Sequence, residues 1–318
     1  MIKKILIIRN DKIGDLVTST PVFRELRKNF PIAKIIFISS KSAKQIVEKN
    51  KNIDEILIAD YPPTNYKNFI SYVNLIKILK KEDIDVGIDL RGSIFNILFL
   101  YLLKVKYKVG YYNRYFSKFF LDYAYKKDRK NTHATFQRVD LINKALGLNS
   151  RNYKLEIATD KEDEKKAAEL IKSFKLKKFI CIVPDASLKY KQWPLERFDK
   201  MIKYIIENYP GYQIILVGAD KEKMNWLKKR NQKIIVPEEL LDLRVSYLLF
   251  KKSSLVIAHD GGPMHLAEAA NSKLIAFIPR HLAPAYYWPQ GKNCKILSKD
   301  VKNISVKEVE KTIEQFLS

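Results

Sequence analysis

Two cysteines, four histidines and ten glycines are few for a chain of 318 residues, and each shortage narrows the chemistry open to it. Cys181 and Cys294 lie in apolar, strand-like runs. They offer neither a disulfide framework nor metal-ligand spacing, which suits a reducing cytoplasm. His133, His259, His265 and His281 form no HExxH or similar spacing, so no metal site is expected. No serine nucleophile elbow is present. The GxGxxG fingerprint is absent, which disfavours a dinucleotide cofactor. No apolar run reaches the roughly 20 residues needed to span a bilayer, the most apolar being 94–103. The opening MIKKILIIRND breaks at Arg9, Asn10 and Asp11 and reads as a first strand, not a signal peptide. A soluble cytoplasmic protein, or one peripheral to a membrane surface, is expected.

Acidic residues are also scarce. Lys and Arg number 59 against 35 Asp and Glu, a net charge of +24. Such a charge implies anionic company, whether nucleotides, phosphorylated lipids or nucleic acid. A lysine-rich composition throughout would give the same number. Hydrophobic residues make up 47% of the chain, enough for a sizeable core.

Short β-branched runs alternate with amphipathic segments. Residues 5–8, 35–38, 56–58 and 86–89 read as strands, and 16–29 as one helix. The pattern restarts with strands at 179–183, 214–217, 255–258 and 274–278. Helices at 195–208, 221–229 and 264–270 separate them. Alternation of this kind predicts parallel, doubly wound sheets, here two Rossmann-like α/β domains facing across a cleft. The polar stretch 149–161 is the expected linker, giving domains 1–155 and 156–318. A charged helix over 161–174 opens the second, and the last helix is one that can pack back on the first.

Three loops carry polar constellations where α/β sheets place ligands, at the carboxyl ends of strands. After the first strand comes Asn10-Asp11-Lys12-Ile13-Gly14-Asp15. Asp15 can accept a proton from an acceptor hydroxyl, or merely complement the helix start. After 255–258 comes His259-Asp260-Gly261-Gly262-Pro263-Met264-His265. Pro263 suits a first helical turn, and the glycines allow a phosphate to approach free helix N–H groups. A tight turn with a buried histidine is the plainer alternative. After 179–183 comes Pro184 to Pro194, in which Ser187 and Lys191 can hold phosphate oxygens. It also reads as a basic surface loop with Trp193 in the core. From 104 to 130, lysines and arginines interleave with nine Tyr and Phe residues, among them Tyr115 and Phe116. Most read as core aromatics, and some as a membrane-facing lip.

Taken together, these segments resemble glycosyltransferase family 9, the ADP-heptose:lipopolysaccharide heptosyltransferases. The resemblance lies in ILIIRNDKIGDLVTSTPVFRELRKNFP, IDLRGS, HATFQRVDLINKALGL, PDASLKYKQWPLERFDKMI and VIAHDGGPMHLAEAANSKLIAFIP, in family order from about residue 2 to 280. It implies a GT-B architecture and inverting transfer without a metal or other cofactor. The donor would be a nucleotide-diphosphate sugar, most simply ADP-heptose. The acceptor would be an anionic lipid-linked saccharide of the lipopolysaccharide core, met at the inner-membrane surface.

By the same resemblance Asp15 matches the catalytic base. Ser187, Lys191, Asp260, Gly261, Gly262 and His265 match donor contacts. Asp220 or Glu222 stands where a ribose-binding acid is expected. Arg91, His133 and Arg138 are candidates for the acceptor. Two departures stand out: Asn10-Asp11-Lys12 replaces small residues before Gly-Asp, and Arg91 stands where Gln is common. They bear on the acceptor more than on the chemistry. A GT-B nucleotide-sugar 2-epimerase is the rival enzyme. A basic nucleic-acid binder is the non-enzymatic rival, but no recognisable module supports it, so nucleic acid is not an expected partner.

Overall fold

The computed structural model describes residues 1–63, 65–112, 117–282 and 284–317. The chain forms two compact units, Met1–Ala158 and Thr159–Ser318.

The first unit runs β1 (Lys4–Arg9), α1 (Ile13–Val17), α2 (Thr20–Asn29), β2 (Lys34–Ser39), β3 (Glu55–Ile58), α3 (Tyr66–Leu79), β4 (Val86–Asp89), α4 (Ile94–Leu102), β5 (Tyr107–Tyr111), α5 (Ser117–Phe120), β6 (Tyr123–Tyr125) and α6 (Ala134–Leu146). Its sheet is parallel, in the order β3-β2-β1-β4-β5-β6. Helices cover both faces, so the central strands are apolar throughout instead of alternating: Ile5, Leu6, Ile7 and Ile8 are all fully buried.

The single helix expected over 16–29 is two. The Thr18 hydroxyl turns back to the Gly14 carbonyl at 3.0 Å and the Ser19 hydroxyl to the Asp15 carbonyl at 2.7 Å. Pro21 has no N–H to continue the ladder, so α1 stops and α2 restarts. The aromatics of 104–130 divide between core and surface, with Tyr107, Phe120 and Tyr123 half-buried. Tyr111 and Tyr125 are buried with ring centroids 6.0 Å apart, while Tyr112 and Phe119 are exposed. Tyr115 and Phe116 lie outside the described residues.

The second unit runs α7 (Lys161–Ser173), β7 (Phe179–Val183), α8 (Leu195–Asn208), β8 (Gln213–Leu216), α9 (Lys221–Arg230), α10 (Leu243–Lys252), β9 (Leu255–His259), α11 (Gly262–Ala269), β10 (Leu274–Pro279), α12 (Pro284–Tyr287), β11 (Cys294–Lys299) and α13 (Val306–Leu317). The sheet order is β11-β10-β9-β7-β8, again parallel. A capping box between Asp160 and Asp163 fixes the start of α7. Asp163 also takes a buried Arg244 at 2.8 Å, which ties α10 to α7. The last helix lays Val309 and Ile313 into the core of its own unit. Tyr204 of α8 donates to Glu314 at 2.8 Å. Among the described residues, no helix is long and apolar enough to cross a membrane.

Each sheet has one place where the chain reverses its direction of growth. In the first, β1 leads to β2 and β3 on one side, and β4 then returns to its other side. In the second, β7 leads to β8, and β9 returns to the opposite side of β7. At such a switch point the two connecting loops diverge and leave a crevice at the carboxyl ends of the strands. The loops after β1 and β4 flank the first crevice, and those after β7 and β9 the second.

The core of the second unit centres on Phe198. Its ring makes edge contacts with Trp193 at 4.9 Å, His259 at 5.5 Å and Phe277 at 6.0 Å. Phe198→Ala is expected to destabilise this unit by about 3–5 kcal/mol. The check is the urea midpoint of its own unfolding step, read separately from that of the first unit.

Candidate active site

At the first switch point a buried guanidinium organises the loops. Arg9, 5% exposed, meets Asp11 through Nε at 2.9 Å and Asp15 through Nη2 at 2.6 Å. Its Nη1 donates to the Leu90 carbonyl at the end of β4. Arg138 of α6 approaches the same Asp15 Oδ1 at 2.9 Å and also donates to the Thr18 hydroxyl. One carboxylate oxygen is thus fixed by two guanidiniums, a strong and directional arrangement.

Exposure separates the roles of these groups. The Asp15 side chain is 29% exposed and that of Arg138 only 1%. The Asp15 carboxylate is partly open to solvent, and the buried Arg138 guanidinium backs it at Oδ1. His133 caps α6, its Nδ1 accepting from the Thr135 N–H at 3.3 Å.

Arg91 pairs with Asp11 at 2.9 Å and lies over the Tyr61 ring, 3.5 Å from its centroid. The two departures from the family pattern are therefore partners of one another. Burial raises the Asp11 carboxyl above its ordinary value, against the pull of Arg9 and Arg91.

The Asp89 carboxylate accepts from the N–H groups of Arg91, Gly92 and Ser93 at 2.8–3.0 Å, which shapes the β4 loop. Lys127 was not singled out in the sequence. Its Nζ donates to the Arg91 carbonyl at 2.8 Å and sits over the Tyr111 ring at 4.0 Å. Burial, aided by Arg9 and Arg138, pushes Lys127 down to about 7.

At the second switch point the organiser is neutral. His259, at the end of β9, accepts the Trp193 N–H on Nε2 at 2.8 Å. Its Nδ1, 3.1 Å from the Asp185 carbonyl, must therefore carry the proton and donate it. One imidazole thus joins both ends of the β7 loop to β9. Burial lowers its pKa to about 4.

Past His259, Asp260 pairs with Lys191 of the β7 loop. Gly261 precedes α11 with φ +157°, a conformation that residues bearing a Cβ rarely adopt, and a Cβ there would face open space. Gly261, the N-cap of α11, has no side chain to cap it, and uncapped N–H groups at a helix start suit an anion. His265 lies one turn in, its Nδ1 2.9 Å from Glu268, which also accepts the Gln290 N–H at 2.7 Å.

Of the remaining candidates, Ser187 is exposed on the β7 loop and Glu222 is exposed on α9. Asp220 is the N-cap of α9, accepting the Lys223 N–H at 3.1 Å, a bond that lowers its pKa. Asp185, quoted in the PDAS segment but given no role, lies in the same β7 loop. It accepts the Ala219 N–H at 3.2 Å, and burial raises its pKa. Its Oδ1 has no hydrogen-bond partner among the described residues. A Cβ on Gly218 would come within 2.0 Å of that oxygen, so any larger residue there would displace the Asp185 carboxylate.

Two parallel α/β units, each with polar loops at its switch point, have the GT-B fold of the heptosyltransferase structures they resemble. Comparison with known proteins gives the family. The profile of glycosyltransferase family 9 (heptosyltransferase) matches residues 72–315. Lipopolysaccharide heptosyltransferase 3 of Escherichia coli is 22% identical over 273 residues, covering 83% of this chain and 79% of that one. A family 9 glycosyltransferase structure from Veillonella parvula superposes with a TM-score of 0.87 at 21% identity, over 99% of this chain and 97% of that one. The E. coli heptosyltransferase WaaC with ADP gives 0.78 at 17% identity, over 98% and 99%. The chain belongs to glycosyltransferase family 9 and is a glycosyltransferase.

The His259 junction carries a pH signature. The unfolded imidazole titrates near 6.5 and the folded one near 4. Below 6.5 the unfolded state therefore binds the extra proton and folding weakens. The second unit should lose about 3 kcal/mol of stability between pH 6.5 and 4 from this group alone. Urea titrations across that range should show the loss, and His259→Gln should flatten it.

Proposed function

We propose that the protein transfers a heptose from ADP-heptose to an anionic, lipid-linked saccharide of the lipopolysaccharide core, with inversion, at the cytoplasmic face of the inner membrane. The observation that carries the reading is the Asp15 carboxylate, held by Arg9 and Arg138 yet still exposed.

In this reading the acceptor hydroxyl gives its proton to Asp15 as its oxygen attacks the anomeric carbon of the donor. The bond from that carbon to the diphosphate oxygen breaks, and the electron pair leaves with the nucleotide diphosphate. The N–H groups opening α11 and the Lys191 ammonium stabilise the charge that develops there, which lowers the barrier. Lys191 can turn from Asp260 to the phosphates, and Asp260 can then accept a donor hydroxyl. Because positive charge comes from the chain itself, the reading needs no metal. Ser187 and His265 lie on the same two loops and are assigned to the donor. Asp185 joins them in place of Glu222 as the candidate acid for the nucleotide ribose, with Asp220 shaping the α9 start beside it. Arg91 and Lys127, with His133 at the start of α6, are assigned to an anionic group of the acceptor.

The family match supports transfer over epimerisation. The ADP carried by WaaC, a protein similar in fold, supports an adenine nucleotide. The match begins at residue 72, so the role of Asp15 rests on the N-terminal motif and its geometry. Asp15→Asn should leave donor affinity within about twofold and lower kcat by about 10²–10⁴-fold. Calorimetric titration with the donor and single-turnover rates separate the two effects. A variant turning over at near wild-type rate would remove Asp15 as the base.

A further inference from the structure

A surface helix normally turns charged and polar residues to water along the stripe opposite its core face. α4 does not. Its less buried positions Ile94, Phe95, Leu98, Tyr101 and Leu102 follow the i, i+1, i+4, i+7, i+8 spacing of one stripe, and α4 contains no charged residue. Phe95, Tyr101 and Leu102 are about half exposed.

α3 lies alongside, held by the edge contact of Tyr72 with Phe99 at 5.4 Å and by the Tyr72 hydroxyl on Asn96 at 3.3 Å. It adds exposed Tyr66, Phe69, Ile70 and Ile78. On the other flank Tyr101 meets Phe120 of α5 at 5.0 Å, and the neighbouring Phe119 is 80% exposed. Apolar side chains exposed in this number on neighbouring elements mark an interaction site.

Charge indicates what covers it. Exposed lysines border the patch: Lys77, Lys80 and Lys81 at the end of α3, Lys104 just after α4, and Lys118 beside Phe119. A second copy of the chain would set the same lysines against one another across a two-fold axis, in a molecule already at +24. An anionic bilayer suits both features, with acyl chains against the apolar stripe and headgroups against the lysine border. Tyrosines and phenylalanines together are typical of such an interface. The patch also reaches the site, because Phe95 contacts Tyr61 at 6.2 Å and Tyr61 carries Arg91.

We propose that the outer face of α3 and α4, with Phe119, docks this protein onto an anionic lipid bilayer. The proposal extends the reading of a lipid-linked acceptor, but its test needs no turnover. The full chain is co-sedimented with vesicles of phosphatidylglycerol and phosphatidylcholine, and with phosphatidylcholine alone. The wild type should bind the anionic vesicles and release in high salt.

The triple variant Ile78→Gln, Leu102→Gln, Phe119→Gln should lower partitioning about tenfold or more, and so should Lys80→Glu, Lys81→Glu, Lys104→Glu. The lysine variant covers the case in which the first misfolds. Both should keep wild-type transfer to a water-soluble acceptor fragment, so a wrong acceptor assignment and a wrong docking face give different results. Three outcomes would overturn the proposal. They are a wild type that ignores anionic vesicles, variants that bind them as well as the wild type, and a dimer in sedimentation velocity that the apolar variant dissociates.

Discussion

A single buried guanidinium holds the first switch point together. Arg9 is enclosed by the loop after β1, the start of α1 and the end of β4, and each supplies it with an oxygen. A buried charge is tolerated only when its hydrogen-bonding groups are met, and removing one partner of such a network leaves an uncompensated charge. Asp11 and Asp15 share one cation, so neither can move independently. Arg138 adds the second restraint on Asp15 from α6. The partly exposed carboxylate is thereby aimed by groups that are themselves buried, which keeps it in one geometry.

The second switch point solves the same problem without charge. His259 is neutral, one nitrogen accepting and the other donating, and it braces both ends of the β7 loop. That leaves the local positive potential to Lys191 and the open start of α11. Asp260 and Lys191 balance one another, so in the proposed reading a diphosphate would meet a cation that can be redirected. The contrast is chemical: an ionic hub orients a carboxylate, and a neutral hub braces a loop that carries a lysine.

Much of this was legible in the sequence. Unbroken apolar runs such as Ile5–Ile8 could only be strands covered on both faces, and the strand-loop-helix order located Asp15 and the Gly261–His265 segment. What was not legible depended on strand order. Arg9 acquires Leu90 because β4 returns beside β1, and no local pattern announces that. Arg138 reaches Asp15 across 123 positions of chain, a pairing that no local pattern shows. Asp11 and Arg91 looked like two separate departures until their ion pair joined them. Asp185 was overlooked because its significance lies in Gly218, a residue of another loop. The expected helix over 16–29 failed because two hydroxyls compete with the backbone ahead of a proline. The apolar outer stripe of α4 was read as a run too short to span a bilayer, and its outward face became visible only once its core face was known.

The central claim is that Arg138 acts through Asp15, and a double-mutant cycle on kcat tests it most directly. Arg138→Gln should slow transfer in the wild-type background and have no further effect in Asp15→Asn, because the group it positions is gone. Equal losses in both backgrounds would contradict the account and give Arg138 a role of its own.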